Sequence, residues 1–131
     1  PHIVICGHTE CGAMKGAMNR AGLTTLPHVR EWLGYSQGAV DITEALGAGL
    51  DPEAKMRMLL EQNVILQLQH LKTHPTVAVA LAQKAVALHG WVYDIKTGEV
   101  SAYDEASMSW VSVEQRYAAD LAEAMVHSHA C

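Results

Sequence analysis

The spacing of apolar residues divides the chain into segments with the periods of strands and helices. Ile3 to Cys6 is a continuous apolar run, typical of a parallel strand covered on both faces, and it ends at the polar segment 7–12. Ala and Met dominate residues 13–19, which predicts a short helix directly after that segment. A turn between a strand and a helix lies at the carboxyl edge of a sheet, where open α/β sheets bind their ligands.

The middle of the chain carries the strongest helical pattern. Asp51-Pro52 supplies an N-cap and a first-turn proline, and apolar residues then recur at helical spacing until Pro75. Residues 76–87 are rich in Ala and predict one or two further helical turns. Weaker signals predict short helices over 27–33 and 41–46, within otherwise irregular structure. The apolar positions of the long helix are Met56, Leu60, Val64, Leu68 and Leu71.

The last third of the chain predicts a hairpin followed by a helix. Leu88 to Ile95 and Glu99 to Tyr103 have the composition of strands, and Gly98 between them can adopt a positive φ. Ser112 stands three residues before Gln115, which is the spacing of a capping box. The apolar face of the helix that follows consists of Val113, Tyr117, Leu121 and Met125.

Composition limits the classes of function. The chain has 131 residues, of which half are apolar and 18% are charged, as expected for one folded domain. Its net charge of −5, without any cluster of Lys or Arg, argues against nucleic acid and membrane partners. Three scattered cysteines favour a reducing compartment, for which the cytoplasm is the simplest assignment. Because a strand pattern begins directly after Pro1, we expect further native residues upstream.

His8 and Cys11 form an H-x-x-C pattern on the predicted turn between the first strand and the first helix. Imidazole and thiolate are both zinc ligands, and this spacing allows them to converge on one ion. The positive end of the following helix would favour the thiolate. The same pattern also fits a buried cysteine beside a histidine that forms a local hydrogen bond. From these two residues alone, both interpretations stay open.

The remaining donor residues are interpreted as structural. Cys6 lies two residues before His8 within the apolar run, which predicts a core residue and not a third ligand. Residues 127–131 contain two histidines and a cysteine, but they are predicted to form a loose tail. The residues predicted to pack on one face of the first hairpin strand are His89, Trp91 and Tyr93.

Several longer stretches form a pattern that reaches well beyond the two candidate ligands. Residues 3–16 read Ile-Val-Ile-Cys-Gly-His-Thr-Glu-Cys-Gly-Ala-Met-Lys-Gly, residues 61–68 and 74–77 form a second part, and residues 89–98 form a third. Together these stretches resemble the β-class carbonic anhydrases. The first is similar to the family's strand and turn that carry the second and third zinc ligands, the second to its long helix and the start of the next helix, and the third to its last hairpin. The resemblance identifies His8 and Cys11 as ligands of Zn²⁺.

The resemblance implies a fold, an activity and an assembly. The fold is α/β, a parallel sheet flanked by helices with an antiparallel hairpin at its edge, and the activity is reversible hydration of carbon dioxide to bicarbonate and a proton. The Gly12 backbone N–H would help to orient a bound anion, and Tyr93 matches a tyrosine near a second, regulatory bicarbonate site. The expected assembly is a homodimer or a dimer of dimers, in which a face with Trp91 and Val92 meets the partner.

One part of the family pattern is missing. The other zinc thiolate of the family lies upstream in a C-x-D-S-R motif, whose Asp and Arg form a dyad beside the metal, and this motif does not occur in the chain. Since a catalytic zinc needs three protein ligands and an open position, we expect residues 1–131 to be a single partial domain, weakly metallated and nearly inactive alone. Two other functions stay open: a non-catalytic structural or assembly module, and a related zinc hydrolase acting on CS₂-like substrates.

Overall fold

Four strands form one mixed sheet in the computed structural model, which describes residues 1–128 and the side chains up to residue 123. The first two strands pair in parallel, with His8 opposite Tyr93, and the remaining pairs are antiparallel. This confirms the predicted α/β sheet with an antiparallel edge. In spatial order the strands are β1 (His2–His8), β2 (Ala87–Tyr93), β3 (Val100–Asp104) and β4 (Ser109–Ser112).

The outermost strand, β4, was not predicted. Its four residues read Ser-Trp-Val-Ser, which is too short and too polar at both ends to show an apolar run or a clear alternation. Pairing with β3 forms it, through contacts such as Trp110 opposite Tyr103. The edge strand is therefore a product of tertiary pairing.

Helices connect the strands and cover the sheet. Asp51 Oδ1 caps the long helix by accepting the backbone N–H groups of Glu53 and Ala54 at 3.1 and 3.0 Å, as predicted. The segment 20–50 is more helical than predicted. The α-helices are α1 (Gly12–Met18), α2 (Pro27–Trp32), α3 (Gln37–Leu46), α4 (Pro52–Thr73), α5 (Pro75–Ala82) and α6 (Val113–Ser128), and short 3₁₀ helices lie at Arg20–Gly22 and Leu33–Ser36.

The one or two helical turns expected within 76–87 are confirmed: α5 ends at Ala82, and Ala87 already pairs with His2 in the sheet. One predicted boundary was wrong. The loose tail expected from residue 127 is helical up to Ser128, and residues 129–131 lie outside the described part. The predicted capping box is confirmed at the start of α6: the N–H of Gln115 donates to Ser112 Oγ at 3.2 Å.

The long helix α4 packs against one face of the sheet. Val64 and Leu68 of α4 form a buried cluster with Val92 of β2. Gly90 of β2 permits this approach, since a Cβ there would lie 2.8 Å from Leu68 Cδ1 and 2.9 Å from Val64 Cγ1. A second buried cluster joins α1, α3 and α4 behind the turn at the end of β1; it consists of Met14, Ala17, Leu33, Ala39, Val40, Leu59 and Leu60.

The opposite face of the sheet corrects two expectations. Cys6 is exposed and is not a core residue, because β1 turns Ile3 and Ile5 towards α4 and Cys6 to the other side. The expected face with both Trp91 and Val92 does not exist: neighbouring strand residues point to opposite sides, and Val92 is 0% exposed.

Part of this opposite face is covered by α6. Tyr117 of α6 accepts a hydrogen bond from Trp91 Nε1 at 2.9 Å, and its hydroxyl lies 2.7 Å from His89 Nδ1. His89 and Trp91 therefore share a face, as predicted, and packing against α6 accounts for both. Within the described residues, no helix has the length and apolar character required to span a membrane.

Candidate metal centre

The predicted ligand turn lies at the carboxyl end of β1. His8 is the last residue of β1, Cys11 is the N-cap of α1, and Gly12 is the first residue of that helix. Tyr93 ends the neighbouring strand and is the register partner of His8. The fold thus brings the four residues singled out in the sequence to one edge of the sheet.

The His8 ring has a defined tautomer. Its Nδ1 lies 2.8 Å from the backbone carbonyl oxygen of Thr9. A carbonyl oxygen only accepts hydrogen bonds, so Nδ1 carries a proton, and Nε2 is the ring nitrogen left to bind a metal. Metal-bound histidines are commonly held in this way, by a carbonyl on the nitrogen that does not bind the metal. The local hydrogen bond that competed with metal binding in the sequence interpretation is therefore compatible with it.

Cys11 is half-buried and stands at the N-cap position of α1. Its side chain packs at the edge of the second buried cluster, and it does not cap the helix. Its backbone carbonyl instead accepts the N–H of Lys15 at 3.1 Å, which fixes the first turn of α1. A neutral imidazole nitrogen and a thiol on one short turn form a donor pair suited to zinc.

The turn between the two donors has a strained backbone. Glu10 adopts a φ of 60°, in the left-handed region that non-glycine residues rarely occupy. Its carboxylate lies 3.4 Å from Lys96 Nζ and 3.5 Å from Lys15 Nζ. These ammonium groups, Lys96 foremost, hold the pKa of the Glu10 carboxyl below its usual value.

Thr9 is a site residue that the sequence analysis missed. Besides accepting from His8, it donates its backbone N–H to the Tyr93 carbonyl at 3.0 Å and accepts the Ile95 N–H at its Oγ1 at 2.9 Å. These bonds extend the pairing of β1 and β2 beyond the last strand residues. The sequence signal was only a Thr beside a candidate ligand, whose partner lies 86 residues away.

The other candidate residues differ in how they face the turn. Tyr93 is 40% exposed and shares its sheet face with His8. Gly12 has open space around it, since a Cβ there would meet no atom within 4 Å. Cys6 lies on the same face, two residues before His8, and its thiol contacts the Gly7 carbonyl at 3.4 Å.

No third ligand joins the donor pair in the described part of the chain. There, no group of three or more His, Cys, Asp or Glu side chains could hold a metal ion. The terminal histidines and Cys131 lie outside the described side chains. A cleft of about 780 Å³ borders Thr9 and Glu10 on the side of α4, but His8 and Cys11 do not line it. The cleft is therefore not the proposed metal position.

Comparison with known proteins decides the family. The sequence model described as carbonic anhydrase matches residues 1–100. The chain belongs to the carbonic anhydrase family. Carbonic anhydrase 1 of Escherichia coli O157:H7 is 42% identical to it over 109 residues, which are 83% of this chain and 49% of that protein.

Solved structures assign this carbonic anhydrase family member to the β-class. The β-carbonic anhydrase CcaA superposes with a TM-score of 0.81 at 34% identity, covering 85% of this chain and 50% of the other. One of two tetrameric β-carbonic anhydrases from Sordaria macrospora gives a TM-score of 0.64 at 28% identity, covering 77% and 51%. The chain thus spans about half the length of these relatives, and the fold implied by the sequence resemblance is confirmed.

Proposed function

We propose that this chain supplies His8 and Cys11 as two ligands to the zinc site of a β-class carbonic anhydrase, which interconverts carbon dioxide and bicarbonate. The observation that carries the proposal is the orientation of the His8 ring. The Thr9 carbonyl accepts from Nδ1 and leaves Nε2 available, and the thiol of Cys11, three residues later, is not used to cap α1. The donor set fits zinc. When held by His8 and Cys11 with the missing ligand, zinc would supply Lewis acidity, which lowers the pKa of water towards neutrality.

We propose that the residues of this chain hold the metal and orient the bound anion. His8 and Cys11 set the direction from which the metal is held, and the Thr9 carbonyl, by accepting from Nδ1–H, orients the ring so that Nε2 is the nitrogen left for the metal. We propose that the Gly12 N–H orients a bound anion, because Gly12 opens α1 and leaves space around its Cα. Tyr93 shares the His8 face and is proposed to lie near substrate or bicarbonate.

The other zinc thiolate and the Asp–Arg dyad are proposed to come from outside these 131 residues. β1 is the first strand in the order of the sheet, so in the described residues its outer edge is not paired. A parallel strand added there would end beside His8, because the carboxyl ends of parallel strands meet at the same edge. The residues encoded directly before Pro1 test this: a Cys-x-Asp-Ser-Arg motif supports the enzyme, and its absence favours a non-catalytic module.

Assembly and location are parts of the same proposal. We propose a homodimer or dimer of dimers in the cytoplasm. A structural relative is tetrameric, and large apolar side chains are exposed at a spacing of three residues. Cys6 and Cys11 are free thiols, which suits a reducing compartment. A stable monomer of the complete protein in light scattering would contradict the assembly. The exposed apolar residues at this three-residue spacing are Leu26, Val29, Trp32 and Tyr35.

Metal analysis of two cysteine variants tests the ligand assignment. In the complete protein, Cys11→Ser removes a thiolate ligand and should lose most of the bound zinc. Cys6→Ser is the matched control, since it changes an exposed cysteine on β1, the strand that ends at His8, and we do not assign Cys6 to the metal. Zinc content that is unchanged in Cys11→Ser would exclude the role proposed for that residue. Turnover of carbon dioxide against CS₂ by the zinc-loaded protein then distinguishes the anhydrase from a related hydrolase.

A further inference from the structure

We infer that Thr9 is a positioning residue of the zinc site, and that its side-chain hydroxyl couples the His8 ring to the β2–β3 connection. The inference rests on the proposed zinc ligation by His8. Thr9 is not itself a ligand, and the β2–β3 connection, residues 94–99, supports the site although it lies far from the turn in sequence.

Three hydrogen bonds meet at Thr9. Its carbonyl accepts His8 Nδ1–H at 2.8 Å, its N–H donates to the Tyr93 carbonyl at 3.0 Å, and its Oγ1 accepts the Ile95 N–H at 2.9 Å. The first bond orients the ligand ring, while the other two attach Thr9 to the end of β2. The direction of the imidazole therefore depends on how firmly Thr9 is attached.

The β2–β3 connection is a rigid partner for that attachment. Asp94 Oδ1 accepts the N–H groups of Lys96 and Thr97 at 2.8 and 3.2 Å. The Asp94 carbonyl accepts the Gly98 N–H at 2.8 Å, and Gly98 adopts a φ of 77° that suits glycine. Ile95 lies inside this bonded turn, so its N–H has a fixed direction towards Thr9.

The strain at Glu10 explains why the hydroxyl matters. A left-handed φ of 60° is unfavourable for a non-glycine residue and persists only where neighbouring contacts enforce it. The ion pairs of Glu10 are exposed and long, so they contribute little. The hydrogen bonds of Thr9 are short and lie next to the strained residue. Without its Oγ1, the peptide after Thr9 gains freedom to rotate, and the carbonyl that holds His8 rotates with it.

Two substitutions at Thr9 and one control test the inference in the complete protein. Thr9→Val keeps the shape and the β-branched side chain but removes the acceptor, whereas Thr9→Ser keeps the acceptor. Thr97→Val is the matched control, because Thr97 Oγ1 accepts the Glu99 N–H at 3.2 Å within the same connection but does not contact the ligand turn. The measured quantity is the dissociation constant of Zn²⁺ in competition with a chelator of known affinity.

We expect Thr9→Val to weaken zinc binding about tenfold, the lower range for partners that orient metal ligands. Thr9→Ser should stay within about threefold of wild type, and Thr97→Val should match wild type. In the metal-free protein, Thr9→Val should also speed hydrogen exchange of the Ile95 amide, while Thr9→Ser should not.

Two results would overturn the role of Thr9: wild-type zinc affinity in Thr9→Val, or equal losses in Thr9→Val and Thr9→Ser, which would indicate packing and not the hydroxyl. A complete wild-type protein without zinc affinity would overturn the proposed function and this role together. If only the role of Thr9 is wrong, the complete wild-type protein still binds zinc, which separates this outcome from a failure of the proposed function.

Discussion

Replacement of Gly90 by alanine tests the close contact between α4 and the sheet. The added Cβ would lie 2.8 Å from Leu68 Cδ1 and 2.9 Å from Val64 Cγ1. Both neighbours are buried, at 3% and 1% exposure, so neither can move into solvent. Leu68 presents the end of a flexible side chain, but Val64 is β-branched and nearly fixed in its helical rotamer. We therefore expect α4 to be displaced from β2.

The expected magnitude follows from two opposing effects. Overpacking a core by one methyl group costs about 1–3 kcal/mol, while replacing glycine by alanine within a strand returns roughly 0.5–1 kcal/mol of backbone entropy. The net loss of unfolding free energy should thus be about 1–2 kcal/mol, equivalent to a decrease in Tm of roughly 4–8 °C. Urea unfolding followed by circular dichroism measures it.

A matched glycine and a double variant complete the experiment. Gly49→Ala adds a Cβ that meets no atom within 4 Å, so it gains backbone entropy without overpacking, and its unfolding free energy should stay unchanged or rise by up to about 1 kcal/mol. In Val64→Ala the obstructing methyl groups are absent, and adding Gly90→Ala to that variant should cost at least about 0.5 kcal/mol less than in wild type. A Gly90→Ala protein as stable as wild type would refute the steric reasoning.

Two further predictions concern a buried hydroxyl and a histidine. Thr43 is 0% exposed and its Oγ1 has no hydrogen-bond partner, so Thr43→Val should raise the unfolding free energy in urea by about 1 kcal/mol; a loss of stability would show that the hydroxyl is satisfied after all. Burial, His2 and Arg116 lower the pKa of His89 from 6.5, although Asp120 opposes them. Because the unfolded chain then binds the proton first, stability should fall as pH decreases through about 6.5. His89→Gln should lose less stability between pH 7 and 5, and an identical decline in both proteins would contradict this assignment.

Local signals in the sequence were sufficient to predict the helices and strands that are marked by a capping residue or by a regular spacing of apolar residues. Asp51 and Pro52 begin α4 where predicted, and Ser112 with Gln115 begins α6. The apolar run of β1 and its change to a polar segment placed His8 and Cys11 on one turn. These features depend on residues a few positions apart, which the order of the sequence already brings together.

Only the tertiary structure could decide features that depend on distant partners. β4 exists because β3 lies beside it, and Cys6 is exposed because α4 covers the Ile5 side of β1. The sequence alone made His8 and Cys11 a candidate pair. The fold added two hydrogen bonds: the bond from His8 Nδ1 to the adjacent Thr9 carbonyl, which depends on how the turn is bent, and the bond from the Ile95 N–H to Thr9 Oγ1, which joins residues 86 positions apart.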